Sequence, residues 1–210
     1  ALAQLAERFG LARLAWSGEV IASRSPPEQR FGAARVVPPP GAFLQATPEG
    51  EAALLATVRD ITQGARRIAD LFAGCGTFSL PLAETAEVHA AEGDAAMIAA
   101  LDQGWRRAPG LRRVTTETRD LFRRPLMSDE LAGFDAVVID PPRAGAVAQI
   151  AELAKSRVPV IAYVSCNPVS FAQDARQLTA AGYRIDGVQV VDQFRWSVHT
   201  ELAAAFRREA

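Results

Sequence analysis

The chain has 210 residues, a length that suits one medium-sized domain or a domain with a short appendage. Hydrophobic residues make up 49% and charged residues 22%, which excludes a disordered tail because the chain can bury a core. The formal net charge of -1 argues against a histone-like binder, since such proteins neutralise phosphates with a large basic excess.

The cysteines, Cys75 and Cys166, lie far apart in the sequence. Alone they make neither a disulfide framework nor a metal site, so a reducing cytoplasm is the simplest setting. The sequence has no signal peptide and no apolar run of the roughly 18 to 20 residues that span a bilayer. It begins inside an expected helix, residues 1–9, without an initiator Met, so we expect a fragment that lacks its N-terminal part.

The first 46 residues are expected to form that helix and then β hairpins, because turn signals recur at residues 17–18, 25–27 and 38–41. From residue 47 onward, apolar strands alternate with helical patterns, which predicts a parallel sheet covered by helices on both faces. A short link between the last two strands predicts that they pair antiparallel. The expected strands are 67–72, 87–92, 112–117, 134–140, 158–165, 183–191 and 200–206, and the expected helices include 48–65, 81–86, 95–107 and 170–181.

A glycine-containing loop follows the first strand of this sheet, at residues 70–79. Gly74 and Gly76 would let the backbone approach a ligand closely, although a plain strand-to-helix turn has the same pattern. Ser79 stands where the dinucleotide fingerprint has its third glycine, which weakens NAD or FAD as the ligand.

Acidic residues follow the next two strands. Glu92 ends the second strand, where its carboxylate could accept hydrogen bonds from both hydroxyls of a ribose. Asp120 follows the third strand and is placed to meet an adenine amino group. Either residue could instead be an ordinary surface acid.

Strand four runs into Asp140-Pro-Pro-Arg143, where the prolines fix the chain at the sheet edge and Arg143 offers donors to a phosphate or a base carbonyl. Cys166 lies just past strand five, followed by Asn-Pro, which forces a turn. A thiolate there would be a nucleophile at the same edge as the glycine loop, whereas the alternative is an inert core cysteine. Glu201 stands at the start of the last strand. It could be a site residue, or it could be a salt-bridged residue at the strand edge.

These residues together resemble the RNA uracil-5-methyltransferase family, which makes 5-methyluridine in transfer or ribosomal RNA. The resemblance runs from residue 41 to the C-terminus. Its motifs are Phe-x-Gln at residues 43–45, Asp-Pro-Pro-Arg-x-Gly at 140–145, Ser-Cys-Asn-Pro at 165–168 and His-x-Glu at 199–201. The family usually has Pro after the Phe of its last motif, where Arg195 and Trp196 follow here, and often Asn at the position of Thr77.

The resemblance implies an α/β fold, a doubly wound Rossmann-like class I methyltransferase sheet of seven strands with the last one antiparallel. It implies S-adenosylmethionine as cofactor and ribosomal or transfer RNA as substrate, with Cys166 as nucleophile and Glu201 as base. Residues 1–46 would be part of a linker subdomain and residues 47–210 the catalytic domain. An RNA-binding barrel, and in some members an iron–sulfur cluster, would lie upstream. The cofactor pocket would be formed by Gln45, Phe72, Gly74, Gly76, Thr77, Glu92, Asp120 and Asp140.

Other functions stay open at this point. An amino-group methyltransferase can also carry Asp-Pro-Pro, but it usually has an aromatic residue at the place of Arg143 and needs no Cys166. A non-catalytic nucleotide- or RNA-binding module, or a dinucleotide-dependent oxidoreductase, would keep the glycine loop alone. His89 and His199 have no partners at metal-ligand spacing, so we expect no metal site. Arginines that could hold RNA lie at residues 106–107, 112–113, 119 and 123–124.

Overall fold

The computed structural model describes residues 2–194 and 196–208. The expected N-terminal helix is present, although Ala1, where the prediction begins, lies outside the described residues. Antiparallel hairpins follow it, the first turning at Ser17 and Gly18, both of which have positive φ. The predicted helix-then-hairpins order is therefore confirmed. The elements of this segment are α1 (Leu2–Arg8), β1 (Arg13–Trp16), β2 (Glu19–Ser23), β3 (Gln29–Phe31) and β4 (Ala34–Val36).

The rest of the chain alternates between strands and helices. Over the described residues, seven strands form a sheet in the order β10-β11-β9-β8-β5-β6-β7, in which β11 is antiparallel to both neighbours and the other pairs are parallel. The predicted sheet with an antiparallel last strand is confirmed. Its elements are α2 (Pro48–Ile61), β5 (Arg67–Leu71), α3 (Ser79–Leu82), β6 (Glu87–Glu92), α4 (Ala95–Arg107), β7 (Val114–Thr118), β8 (Ala136–Ile139), α5 (Val147–Lys155), β9 (Val160–Ser165), α6 (Pro168–Ala180), β10 (Tyr183–Val191) and β11 (Glu201–Arg208).

The boundaries of α2, α3 and α6 differ from the sequence-based expectation; α6, expected over 170–181, is observed as Pro168–Ala180. The helix expected over 81–86 is instead α3, which begins at Ser79 and ends at Leu82; the Ser79 hydroxyl donates to Asp70 Oδ2 at 2.5 Å. Helix α2 ends before 65, since a turn at Thr62 and Gly64, with positive φ at Gly64, stops it. Helix α5 lies in one of the gaps between strands, most of which were expected to be helical, although no bounds were predicted for it.

Apolar side chains pack on both faces of the sheet. One cluster joins the sheet to α2, α3 and α4, and the other joins it to α5 and α6. The second hairpin belongs to the first cluster: a Cβ on Gly104 of α4 would lie 2.6 Å from Val36 Cγ2, so only glycine allows this approach. Helices thus cover both faces, and the carboxyl edge of the parallel strands stays open. Among the described residues, no helix combines the length and the apolar character that crossing a membrane requires.

Candidate active site

A cavity of about 800 Å³ opens at the carboxyl edge of the parallel strands. This edge is where ligands bind in open α/β sheets, because the loops after each strand converge there. Strand β11 runs in the opposite sense, so its first residue, Glu201, reaches the same edge. Leu202 pairs with Ser165, which places Glu201 beside the residue after β9, Cys166. A smaller cavity of about 390 Å³ lies near residues 61–66 and contains none of the predicted site residues.

The structure brings most of the predicted site residues together at this cavity. Gly76 is the exception, because it does not contribute to the lining. It has a φ of +94°, and a Cβ there would lie 2.9 Å from both Leu80 and Leu101, so close packing explains this glycine. The predicted residues that line the cavity are Gln45, Phe72, Gly74, Thr77, Glu92, Asp120, Asp140, Cys166 and Glu201.

The Glu92 carboxylate ties the glycine loop to the beginning of α4. Its Oε2 accepts a hydrogen bond from Gly74 N at 3.1 Å, and its Oε1 accepts one from Asp94 N at 3.0 Å. Gly74 has positive φ and open space where a Cβ would be, so ligand atoms can reach the backbone here. Phe72 also has positive φ, +62°, an uncommon conformation for a non-glycine residue that often marks a functional loop.

Aromatic residues form the wall next to this loop. Asp120 Oδ1 accepts hydrogen bonds from the backbone of Phe122 at 3.0 Å and of Arg123 at 3.2 Å. The turn that it holds brings the Phe122 ring to 5.4 Å from the Phe72 ring. The wall can therefore cover a planar ligand group. Sequence reasoning missed Phe122 although it stands two residues after Asp120; it also missed the lining residues Phe43, Phe78, Met97, Leu121 and Phe194.

Carboxyl groups crowd the floor of the cavity. Burial, followed by the charges of Glu201 and Asp70, raises the pKa of Asp140 to about 8. Burial raises the pKa of Asp70 to about 7, against the hydrogen bonds from Ser79. The pKa of Glu201 is raised by burial, which a hydrogen bond from Gln193 and the charge of Arg143 partly oppose. An acidic floor of this kind favours a cationic ligand.

The two cysteines occupy different environments. Cys166 is partly exposed at the cavity, where burial and the carboxylates of Glu201 and Asp140 raise its pKa, while Arg143 lowers it. Cys75 is 1% exposed and does not line the cavity, and burial raises its pKa to about 11. Of the two thiols, Cys166 is therefore the one that is accessible from the cavity, and a nearby cation would favour its thiolate.

Two networks fix the loop after β8 against the loop after β9. Asn167 Nδ2 donates to the carbonyl of Arg143 at 2.9 Å, while its Oδ1 accepts from Val169 N at 3.0 Å and caps α6. Buried Asp174 accepts from Ala146 N at 3.0 Å and from the Tyr163 hydroxyl at 2.5 Å. Cys166 and the Asp-Pro-Pro-Arg loop are consequently held at a fixed spacing.

The rim of the cavity combines positive charge with exposed apolar surface. Arg143 Nη1 lies 3.1 Å from His199 Nδ1, and both residues line the opening. Trp196 and Val198, in the segment leading to β11, are 98% and 95% exposed. Arg119, considered above as an RNA contact, instead pairs with Glu130 at 2.7 Å, so its charge is already engaged. Arg195 lies outside the described residues.

Comparisons with known proteins show that the chain is similar to RNA methyltransferases. Residues 107–209 match the family model described as tRNA (uracil-5-)-methyltransferase. An uncharacterised RNA methyltransferase of Rhizobium meliloti (strain 1021) is 53% identical over 206 residues, covering 98% of this chain and 49% of that protein. The 23S rRNA (uracil(1939)-C(5))-methyltransferase RlmD of Chromohalobacter salexigens is 39% identical over 173 residues, covering 81% of this chain and 36% of that protein. The chain thus spans about half the length, or less, of these curated relatives.

Solved structures show the same architecture. The chain is similar to the tRNA (uracil-54, C5)-methyltransferase of Pyrococcus abyssi in complex with S-adenosyl-L-homocysteine, with a TM-score of 0.76 and 27% identity over 90% of this chain and 46% of that one. The magnesium protoporphyrin IX methyltransferase of Synechocystis PCC 6803 has a TM-score of 0.58 at 15% identity, over 77% of this chain and 82% of that one, which is a likeness of fold alone. The predicted Rossmann-like methyltransferase fold is confirmed.

Proposed function

Because the chain belongs to the RNA uracil-5-methyltransferase family, we propose that it transfers a methyl group from S-adenosylmethionine to C5 of a uridine in ribosomal or transfer RNA, through a covalent bond between Cys166 and C6 of the base. The observation that carries the proposal is the pocket itself. Its lining includes Cys166, Glu201 and Glu92, which come from separate parts of the chain. This common lining supports the proposal that a thiol, a base and a ribose acceptor act around the same space.

The donor set of the pocket fits S-adenosylmethionine. The Glu92 carboxylate suits a ribose diol, Gly74 leaves its backbone open, and Phe72 with Phe122 can flank an adenine ring. Burial raises the pKa values of Asp140 and Glu201, and the charges of Glu201 and Asp70 raise that of Asp140 further. A sulfonium cation bound beside these carboxyl groups would favour their ionised forms. When bound, this cofactor supplies an electrophilic methyl group.

The protein side chains then account for the rest of the chemistry. Uracil C5 is a poor nucleophile, and addition of the Cys166 sulfur at C6 makes C5 electron-rich enough to accept a methyl group. The methylated base still carries a proton on C5, which the Glu201 carboxylate removes. Burial raises the pKa of Glu201 and so makes it a stronger base for this step.

The RNA would approach at the rim of the cavity. The target base must leave its stack to reach Cys166, at a cost of a few kcal/mol. Trp196 offers an exposed face on which a neighbouring base can stack, and Arg143 offers donors to a phosphate or a carbonyl. The division at residue 46, the reducing cytoplasm as location, and an upstream barrel or iron–sulfur cluster remain predictions.

A trapping assay tests the proposal. The protein is incubated with S-adenosylmethionine and RNA that contains 5-fluorouridine, and mass spectrometry locates RNA bound to the protein. Fluorine at C5 cannot leave as a proton, so the adduct should persist on Cys166 and be absent in Cys166→Ala. Methyl transfer to ordinary RNA without any adduct would contradict the cysteine mechanism and leave an amino-group methyltransferase as the better reading.

A further inference from the structure

Gln193 is buried behind the wall of the active-site cavity. It follows β10, is only 7% exposed, and does not line the cavity itself. A buried amide is costly unless its polar atoms are bonded, so its partners indicate why it is there.

The Gln193 amide contacts the N-terminal part of the chain. Its Nε2 donates to Gln45 Oε1 at 2.7 Å, across 148 residues of sequence. Helix α2 packs tightly on the same side chain, since a Cβ on Gly50 would lie 2.4 Å from Gln193 Oε1. That Oε1 is buried without a hydrogen-bond partner among the described residues. The hydrogen bond to Gln45 therefore fixes the Gln193 side chain, although only the nitrogen of its amide has a partner.

Gln193 also lies near the Glu201 carboxyl group, because Val191, two residues before it, pairs with Glu201 across β10 and β11. Burial raises the pKa of Glu201, and a hydrogen bond from Gln193 opposes that rise by favouring the ionised form. Gln45 and Glu201 both line the cavity, whereas the amide between them does not.

Resting on the proposed function, we infer that Gln193 is a positioning residue that joins Gln45 to Glu201 and thereby sets the base against C5 of the bound uridine. The order of steps makes this testable. Cys166 forms the adduct without help from Glu201. In the final step, Glu201 takes the C5 proton, the C5–H electron pair forms the C5=C6 bond, and the C6–S pair returns to the Cys166 sulfur.

A displaced Glu201 should slow this final step more than the earlier ones. Gln193→Met keeps the length of the side chain and removes the donor, so we expect kcat to fall by about tenfold to a hundredfold, the range that loss of alignment produces. Methylated RNA should then accumulate on Cys166 with ordinary uridine RNA, visible by mass spectrometry. A merely structural role would lower the amount of folded protein and would not raise the trapped fraction.

Gln193→Glu is the second variant. It preserves the shape but puts another carboxylate near Glu201, which should move the pH at which the adduct resolves upward. Gln189→Met is the matched control, because Gln189 is exposed on β10 and donates only to the backbone of Val190. It should leave kcat and the trapped fraction unchanged.

Either of two results would overturn the inference. One is a kcat of Gln193→Met equal to that of the wild type; the other is a lower kcat without accumulation of methylated RNA on Cys166. Failure of the proposed function is a separate outcome. In that case neither the wild type nor the variants would bind 5-fluorouridine RNA covalently, whereas failure of the inference alone leaves that adduct intact.

Discussion

Asp70 allows a quantitative prediction about stability and pH. It is 0% exposed in β5, its Oδ2 accepts the Ser79 hydroxyl at 2.5 Å, and its Oδ1 has no partner among the described residues. Burial raises its pKa from 3.8 to about 7. Between these pH values the unfolded chain loses the proton and the folded chain keeps it, so the free energy of unfolding falls as pH rises.

The size of the effect follows from the two pKa values. Each pH unit in the window is worth about 1.4 kcal/mol, which gives roughly 4 kcal/mol from pH 3.8 to pH 7. Asp70→Asn cannot ionise and removes this slope. Its amide NH₂ takes the place of the unpartnered Oδ1, which should lower the free energy of unfolding by about 1 to 3 kcal/mol at every pH. The variant should therefore be less stable than the wild type near pH 4 and more stable at pH 8.

Urea denaturation at pH 5 and pH 8 measures the difference. The stability of Asp70→Asn relative to the wild type should rise by about 3 kcal/mol between these pH values, since the effect saturates near pH 7. Asp60→Asn, an exposed substitution on α2, serves as the control. A difference between Asp70→Asn and the wild type that does not change with pH would refute the argument from burial.

Three further outcomes are expected. Glu201→Gln should speed the alkylation of Cys166 by iodoacetamide at pH 8, because loss of the carboxylate charge lowers the thiol pKa; an unchanged rate would mean that the two side chains are not coupled. Glu92→Gln should weaken S-adenosylmethionine binding by about tenfold to a hundredfold in calorimetry, as the loss of charged hydrogen bonds implies, while Glu87→Gln at the other end of β6 should not. Trp196→Ala should weaken binding of single-stranded RNA by about 1 to 3 kcal/mol in fluorescence titration, and equal affinity would exclude stacking on this side chain.

The sequence was a good guide where a local pattern carries the information. The apolar run at 87–92 and the helix at 95–107 match β6 and α4 residue for residue, because apolar periodicity and the Asp94 cap are properties of adjacent residues. Cys166 was placed past the end of β9, since Asn-Pro is a turn signal wherever it occurs. In contrast, α3 begins two residues before its expected start, and its Ser79 hydroxyl donates to Asp70 in β5, a tertiary contact that no local pattern predicts.

Gly76 shows that packing, and not only a ligand, can require a glycine in a glycine-containing loop. In the sequence, it looks like the second glycine of a ligand loop, and its role toward a ligand remains a prediction. In the structure, its backbone conformation and the side chains of Leu80 and Leu101 are reason enough for a glycine. A pattern identifies the residue type that a loop needs, but not which neighbour requires it.

The sequence by itself determined the alternation of strands and helices, the loops that end at the sheet edge, and the residue types with reactive groups. Only the tertiary structure decided which of them meet. Strand β11 inserts between β10 and β9 and runs against them, which brings Glu201 to Cys166 and lets Gln193 reach Gln45. Strand order and register depend on packing between distant segments, and so do the pKa values of Asp70 and Asp140, which burial and mutual charge set only after the chain has folded.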